Sequence, residues 1–422
     1  MLVAGATGQP PLVLDLSMTD DPASLASQVW ESSPDLQAAR GRIASARADL
    51  ARAHFLPNPG LDLSLNTIPV GPTNPSDLQD PILNVPNVGV GLSILLELGK
   101  RGPRQDAAGQ TLRSTVLDVL EQVRQKVLAV EEGISEVAAA EVRVATLTEL
   151  AADATQLTKL QRQRSEKGDT SPLDADRAQL EEESTITELG EAKAGLEEAL
   201  RACSELVGLP CLPFGDRARA AAWLERTFDS TTSDFSKRPD VQSLDAARAS
   251  AEANQLLAAR RWAPDPTLRV GYVHDRFVVS GNQQNSVYVG LSFPLPFFDH
   301  GQADEAAAAV AASSAARARE RLIAISGSQL ERIDAEQKTV EGRIKRLREL
   351  SLPLAQSVVE RLQAAVNRGA APIQELLLAR RSRAELLLTA NDLDKASFRL
   401  RVARARVAGG GLTYPKELTD AP

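Results

Sequence analysis

The chain has 422 residues, of which 43% are hydrophobic and 25% charged, so it has enough apolar content for a folded protein and too much for a disordered one. Aromatic residues make up only 4%, and long stretches rich in Ala, Leu, Arg and Glu favour packed helices over an enzyme core. The net charge of −8 gives no reason to expect nucleic acid as a partner.

Residues 1–30 form an N-terminal segment ahead of the repeating part of the chain. Met1–Ala6 resembles the end of an apolar signal-peptide core followed by an Ala-x-Ala cleavage site, so we expect a truncated or misassigned start. The sequence has no uninterrupted apolar window of about 18 residues, which argues against a transmembrane helix. A membrane β-barrel stays open as an interpretation, because its alternating strands leave only a weak hydropathy signal.

The rest of the sequence is an internal duplication with a spacing of about two hundred residues. Five landmarks recur in the same order: a helix start, a Pro-x-Pro pair, an alternating stretch, a Gly-Leu-Ser triplet and a Gly-containing turn before a proline. The paired positions are 33–37 and 238–242, 57–59 and 264–266, 61–65 and 268–272, 91–93 and 290–292, and 167–172 and 368–372. We therefore predict a first repeat at 31–207, an equatorial linker at 208–237, a second repeat at 238–408 and a tail at 409–422.

Each repeat is predicted to contain a short helix, two strands, a very long helix, a tight turn and a medium helix. The strands are predicted at 61–67, 87–95, 267–279 and 286–295, where apolar residues alternate with small or polar ones. Such strands suit either a half-buried sheet in a soluble protein or the wall of a membrane barrel.

The long helices are predicted from about 102 to 167 and from about 302 to 368. Valine recurs every seventh residue from Val116 to Val144, and Leu330, Ile333 and Val340 continue the pattern in the second repeat. The first helix would span on the order of 95 Å. Helices of this length cannot wrap around a compact core, so we expect them to pack along one another and along those of neighbouring copies.

Two cysteines, Cys203 and Cys211, lie near the end of the first repeat. Their spacing does not fit a redox Cys-x-x-Cys motif and no histidine lies nearby, so zinc binding is not expected. A local disulfide in an oxidising periplasm and a pair of free thiols both remain possible readings.

Four strands are too few to close a barrel, since the smallest membrane barrels use about eight. An open sheet in lipid would leave edge groups unsatisfied at a cost of several kcal/mol each. If the strands enter a membrane, other copies must complete the wall, and three copies would supply about twelve strands and six repeats of paired helices.

Two segments at matching places in the repeats carry a resemblance to a known family. Phe293–Gln302 and Glu97–Arg101, together with the duplicated order of elements, resemble the outer membrane factor (TolC-type outer membrane efflux protein) family over about residues 30–410. Both segments are most similar to the heavy-metal branch of CzcC/CusC-like exit ducts. The resemblance implies a mainly α, internally duplicated protomer with a four-stranded membrane β-sheet that contributes to a trimeric 12-stranded β-barrel above a periplasmic α-barrel.

The same resemblance implies a non-enzymatic role and a set of partners. The expected function is that of an outer-membrane exit duct in a tripartite efflux system, which passively conducts solutes, heavy-metal cations being the favoured cargo. The expected partners are two further copies in a homotrimer, a periplasmic adaptor, an inner-membrane pump of RND type and outer-membrane lipid. No cofactor and no metal site are expected. His54, His274 and His300 are far apart in sequence, Gly99–Arg101 is not a P-loop, and no Gly-x-Ser-x-Gly elbow occurs.

The resemblance implies that the two turns are the periplasmic tips, which contact the adaptor and close the aperture. The alternative is that the same glycines and prolines only form the tight turn of a helical hairpin. The tip residues are Lys167, Gly168, Asp169, Thr170, Pro172, Asp174, Arg368, Gly369, Ala370 and Pro372. The flanking charges, which include Arg164 and Arg177, are candidates for a latch of weak ion pairs, each worth at most about 1 kcal/mol.

The locations of the loops, the linker and the aromatic residues can also be predicted. Loops 69–86 and 280–285 are expected to face outside the cell, and linker 208–237 to form a collar around the helices. Aromatic residues near strand ends suit a membrane-interface girdle or simple packing. They are Trp262, Tyr272, Tyr288, Phe293, Phe297 and Phe298.

Two alternatives to the metal-efflux interpretation were retained. A soluble coiled-coil scaffold explains the heptads but not the paired strands. The same fold could instead serve drug efflux or type I protein secretion, because cargo choice would lie mostly in the pump.

Overall fold

The computed structural model describes residues 13–16, 22–68, 70, 79–228, 234–276 and 283–409. The N-terminal residues 1–12, half of loop 69–86, residues 280–282 of the second loop and the tail from 410 lie outside this description. The helices are α1 (Pro22–Ser32), α2 (Pro34–His54), α3 (Pro81–Asn84), α4 (Arg101–Glu166), α5 (Pro172–Val207), α6 (Arg217–Glu225), α7 (Pro239–Ala259), α8 (Gln302–Arg346), α9 (Leu352–Asn367) and α10 (Ile373–Ala408). The strands are β1 (Leu14–Asp15), β2 (Gly60–Asn66), β3 (Asn87–Leu95), β4 (Cys211–Leu212), β5 (Thr267–His274) and β6 (Asn285–Ser292).

The chain divides into two compact units. The first comprises the described residues of Met1–Gly41, Val116–Gln242 and Glu320–Pro422, and the second comprises those of Arg42–Thr115 and Ser243–Arg319. Each unit takes matching pieces from both sequence repeats. The repeat boundaries therefore describe the order of the chain, whereas packing joins equivalent parts of the two repeats.

Helices α2 and α7 begin in the same way. Pro34 and Pro239 occupy their first positions, where a missing N–H costs nothing because the first-turn N–H groups have no helical partner. Asp35 and Asp240 follow in the first turn, where a negative charge favours the helix dipole. Both helices end shortly before a Pro-x-Pro pair, which directs the backbone into an extended conformation.

The second unit contains a four-stranded sheet in the order β2-β3-β5-β6, antiparallel at every pairing. Strand β5 is shorter than the predicted 267–279, of which 277–279 lie outside the described residues. Beside the last pair of β5 and β6, the Asp275 N–H donates to the Gln284 carbonyl at 2.8 Å. Strand β6 ends at Ser292 and not at 295, because Pro294 has no N–H to donate to a strand ladder.

Charged residues of the Glu97–Arg101 segment fasten the sheet to the adjoining helices within this unit. Lys100 Nζ lies 2.8 Å from Asp265 Oδ2, and the Leu98 N–H donates to Asp265 Oδ1 at 2.9 Å. Glu97 pairs with Arg104, which also donates to the Phe55 carbonyl at 3.2 Å. The segment that carried the family resemblance is thus a clamp between the ends of β3, β5 and α2.

The two long helices differ in one respect. Helix α4 is continuous over 66 residues, whereas a π-helical turn at Leu347–Ser351 separates α8 from α9. Pro353 lies two residues after this turn and cannot donate to the carbonyl four residues earlier. Inserting one extra residue into the turn accommodates the proline without ending the helix.

The first unit is held together by the valine seam of α4. Val116, Val123, Val130 and Val137 are all buried, as the seven-residue spacing requires. The corresponding residues of the second repeat, Ile333, Val340 and Leu347, are buried too. The medium helices also bury small and apolar residues, including Ala178 and Ala192 of α5 and Phe398 and Val402 of α10.

The segment between the repeats is bound to the first unit by several kinds of contact. A disulfide joins Cys203 of α5 to Cys211 of β4, and β4 pairs in parallel with β1 through Leu14 and Cys211. Further along, Arg401 of α10 donates to the Arg226 carbonyl at 2.9 Å. Arg348 of the π-helical turn lies between Glu225 and Asp394, and burial raises the pKa of Asp394 although Arg348 opposes the shift.

None of the helices in the described part of the chain combines the length and apolarity needed to cross a lipid bilayer.

Glu131 of α4 is the most perturbed carboxyl group beside this segment. Its side chain is 1% exposed, and Arg226 Nη1 lies 3.5 Å from Glu131 Oε2 while stacking 4.0 Å from the Trp223 ring centroid. Burial raises the pKa of Glu131 to about 7, against the opposing effect of Arg226. One arginine therefore does not compensate the loss of water around this carboxylate.

We predict that Glu131→Gln flattens the dependence of stability on pH. Because the native pKa is raised, the native state holds the proton more tightly than the unfolded state. The raised pKa of Glu131 contributes to the free energy of unfolding in full below about pH 4.5. This contribution, roughly 3 kcal/mol, is lost as the pH rises through about 7. The variant should gain free energy of unfolding at pH 8 but not at pH 4.5, as measured by urea denaturation. Glu132→Gln serves as the control, because Glu132 is the next residue, is half-buried and is paired with Arg406 at 3.4 Å. An equal gain in both variants would contradict the interpretation.

A second prediction concerns two glycines of the sheet. A Cβ added at Gly271 would lie 2.5 Å from Tyr288 Cε1, whereas one added at Gly290 meets nothing within 4 Å. We expect Gly271→Ala to destabilise the protein by about 1–3 kcal/mol, because the tyrosine ring must move. Gly290→Ala should be neutral or slightly stabilising, because it reduces the entropy of the unfolded chain. Thermal unfolding followed by circular dichroism compares them, and equal midpoints would show that the Tyr288 contact does not matter.

Candidate functional site

The sheet presents one continuous apolar face. Because directly opposed residues of antiparallel strands point to the same side, the register places the apolar residues of all four strands together. They are Leu61, Leu63, Leu65, Val88, Val90, Leu92, Ile94, Leu268, Val270, Tyr272, Val287, Val289 and Leu291. Most are exposed; Leu63, Val287 and Val289 each expose more than 70% of their surface. A patch of this extent marks a surface that meets an apolar partner or an apolar medium.

The opposite face is mainly small and polar. It includes Ser64, Gly89, Gly91, Ser93, Gly271 and Gly290, together with the charged residues Asp62 and Arg269. Alternation along each strand therefore separates an apolar side from a hydrophilic one, and neither side is packed as a protein core.

Tyr288 has a different place from the strand end that the sequence analysis predicted. It lies in the middle of β6 on the hydrophilic face, where its ring crosses Gly271 and its hydroxyl reaches Gly91. The glycines give the ring its space, and the ring covers the glycines. Glycines on two neighbouring strands, in the same row as a lone aromatic residue, are the sequence signal that could have identified this contact.

Tyr272 lies within β5 on the apolar face, whereas the remaining four aromatic residues lie beside one end of the sheet. Trp262 precedes β5, while Phe293, Phe297 and Phe298 follow β6, so the antiparallel order brings them to the same end. They are exposed, and Phe298 is 93% exposed. Exposed aromatic rings at the border of an apolar face suit the boundary between an apolar medium and water.

Both outer strands of the sheet have a free edge. Within the described residues, β2 pairs only with β3 and β6 pairs only with β5. The outer N–H and C=O groups of these strands can accept another strand. Exposed edges of this kind are sites of strand addition in proteins.

The predicted tip turns lie in the first unit and share one geometry. After α4, Gly168 adopts φ +80°, its N–H donates to Ser165 and the Asp169 N–H donates to Arg164 at 2.8 Å. After α9, Gly369 adopts φ +73°, and the Ala370 N–H donates to Ala365 at 2.9 Å. In both turns a left-handed glycine allows the chain to reverse while satisfying the last helical carbonyls.

The two turns start their returning helices differently. Ser171 caps α5 by accepting from the Leu173 N–H at 3.2 Å, whereas Pro372 stands at the cap of α10 without a side-chain hydrogen bond. Ser171 is not among the predicted tip residues, although a serine before a proline is a strong signal for a helix start.

The charges around the turns are mostly exposed, as surface positions require. Lys167, Asp169 and Arg368 are exposed, Asp174 lies 3.7 Å from Arg177, and Arg164 donates to the Val366 carbonyl at 3.4 Å. Arg164 thus connects α4 to the end of α9. A small core of Leu157, Val359, Val366, Ile373 and Leu376 lies beneath the second turn.

No group of three or more His, Cys, Asp or Glu side chains that could hold a metal ion occurs in the described residues.

Comparison with known proteins relates this geometry to a family. The family described as outer membrane efflux protein matches residues 25–209. The cobalt-zinc-cadmium resistance protein CzcC of Cupriavidus metallidurans is 27% identical over 277 residues, which cover 64% of this chain and 61% of CzcC. The sequence match thus spans less than two thirds of this relative.

Solved structures extend the likeness to nearly the whole chain. CusC has a TM-score of 0.73 at 18% identity and covers 92% of both chains. The Campylobacter jejuni CmeC outer membrane channel has a TM-score of 0.72 at 15% identity, covering 94% of this chain and 89% of CmeC. At these identities the structures establish a shared fold. The chain therefore has the TolC-like fold of these channels, and residues 25–209 are similar to the outer membrane efflux protein family.

Proposed function

We propose that the protein is one subunit of a trimeric exit duct in the outer membrane, which passively conducts solutes delivered by a periplasmic adaptor and an inner-membrane pump of RND type. The observation that carries this proposal is the sheet: one exposed apolar face, one hydrophilic face and two free edges. The apolar face suits lipid, and the hydrophilic face suits a water-filled lumen.

The free edges supply the argument for several copies. In lipid, unpaired backbone groups cost several kcal/mol each, so β2 of one copy must pair with a strand of another. Pairing β2 of each copy with β6 of the next closes the wall, and three copies of the four strands give twelve. Twelve strands leave an open lumen, because about eight are already enough to enclose packed side chains.

The proposed cargo is heavy-metal cations. Its support is the relative CzcC, which is named as a cobalt-zinc-cadmium resistance protein, and the resemblance of the two motif segments to the heavy-metal branch. A wide aqueous duct needs no metal ligands of its own, since the pump supplies energy and selection. Drug efflux and protein secretion remain the alternatives for cargo. Loss of metal resistance in cells that lack this chain, restored by the intact gene, would distinguish them.

A soluble scaffold is the competing function, and the exposed sheet disfavours it. Fully burying a single Leu or Val side chain is worth about 1.5–3 kcal/mol, and the apolar face holds thirteen such positions including Tyr272. An aqueous scaffold would gain nothing from leaving them in water.

The two faces predict opposite responses to a charge. Leu63→Arg places a cation on the apolar face and should cost about 2–4 kcal/mol of membrane stability near the bilayer midplane. Ser64→Arg, the adjacent residue on the hydrophilic face opposite Gly89, should insert normally. Heat-resistant trimers in outer-membrane fractions, assayed by gel electrophoresis without boiling, report the difference. Equal amounts of trimer for both variants would contradict a lipid-facing apolar side.

We further propose that the turn charges keep the resting duct closed. Asp169 is exposed and Asp174 makes only a long contact with Arg177, so both carboxylates are available to neighbouring copies. Replacing both with asparagine should raise the single-channel conductance of purified protein in planar bilayers, because a latch of weak pairs is lost. Asp176→Asn, an exposed carboxylate of the same helix, is the matched control. Unchanged conductance in the double variant would overturn the latch.

A further inference from the structure

Ionisable side chains are rare in the four long strands. Among the residues of β2, β3, β5 and β6, only Asp62, Arg269 and His274 belong to the types Asp, Glu, Lys, Arg and His. The register puts His274 beside Val88 and Asn285 on the apolar face, where its Nδ1 lies 2.9 Å from Asn285 Oδ1. The hydrophilic face therefore carries one cation and one anion along its strands.

These two charges lie in adjacent rows of the sheet. One row consists of Asp62, Gly91, Gly271 and Tyr288, and the next consists of Gly60, Ser93, Arg269 and Gly290. Adjacent rows on one face are two residues apart, or about 6.8 Å. Every other residue in the two rows is glycine, serine or tyrosine, so no other charge competes with this pair at that level.

The surroundings of the two charges are unequal. Arg269 is exposed, and its neighbours Ser93 and Gly290 are too small to cover it. A Cβ at Gly290 would meet nothing within 4 Å. Among the described residues, no carboxylate oxygen lies within 4.0 Å of the Arg269 guanidinium nitrogens.

Asp62 is more enclosed. It is half-buried, and its Oδ2 is inaccessible and has no hydrogen-bond partner within the described part of the chain. Gly91 lies directly opposite it, and the hydroxyl of Tyr288 extends over Gly91. Water and passing ions reach the arginine more readily than they reach the carboxylate.

We propose that Arg269 and Asp62 form the ion-selectivity belt of the duct, with Arg269 as the dominant charge. The proposal rests on the proposed function, in which the hydrophilic face lines the lumen. Three copies then place three guanidinium groups in one ring and three partly enclosed carboxylates in the adjacent ring. Rings of charged side chains govern ion selectivity in pores, and the more exposed ring sets the sign. The belt favours small anions over cations, so the proposed metal cations would pass it against this preference, driven by the pump.

Reversal potentials of the purified full-length protein in planar bilayers under a KCl gradient test this proposal. The wild type should prefer chloride, and Arg269→Gln should lower the chloride-to-potassium permeability ratio by about twofold or more. Arg269→Lys retains the charge and should retain the preference. Asp62→Asn should shift the ratio in the opposite direction and by less, because that carboxylate is partly enclosed.

The outcomes separate the two proposals. A wild type that forms no conducting channel overturns the proposed function, and the belt with it. A conducting channel whose reversal potential is the same in the wild type and Arg269→Gln overturns the belt alone. Salt gives a measurement that needs no variant: the Debye length falls from about 10 Å at 0.1 M to about 3 Å at 1 M. The chloride preference should weaken as salt rises at a constant gradient ratio, and a constant preference would count against the belt.

Discussion

The apolar face of the four-stranded sheet is the constraint on which the rest of the structure depends. Its leucines and valines have no partner in the described part of the chain, and the strands on either side have free edges. Exposed hydrophobic surface is unfavourable in water, and unpaired backbone groups are unfavourable in lipid. In the proposed duct, a lipid environment covers the apolar face and identical subunits cover the free edges, so the proposed location and the proposed assembly rest on the same surface.

The helical unit is built on a different principle. Its buried valines form a narrow seam, and its charged residues lie at the surface or in pairs such as Arg399 with Glu136. The segment between the repeats adds covalent, strand and ionic contacts through Cys211, Arg226 and Glu225. Arg348 is notable because it joins that segment to the π-helical turn that Pro353 imposes. The bulge is thus held by side chains from two other elements.

Much of this arrangement could be predicted from local sequence signals. The Pro-x-Pro pairs, the alternation of Val88 to Ile94 and the glycine turns at 168 and 369 have direct local causes. The segment Glu97–Arg101 shows where prediction stopped, since the sequence marks it as a motif but not as a clamp on Asp265. Its partner is 165 residues away in the chain, and no local pattern reports that distance.

The sequence by itself determined the duplication, the periods of the helices and strands, and the positions of the turns, because backbone sterics and hydrophobic alternation act over a few residues. Only the tertiary structure decided which rows of the sheet Asp62 and Arg269 occupy and that the Tyr288 ring covers Gly271. It also decided the division into two units that combine parts of both repeats, and the burial of Glu131. These depend on strand register and on packing between distant segments. A one-residue change of register would send every side chain of a strand to the other face, so the composition of each face is a property of the folded sheet.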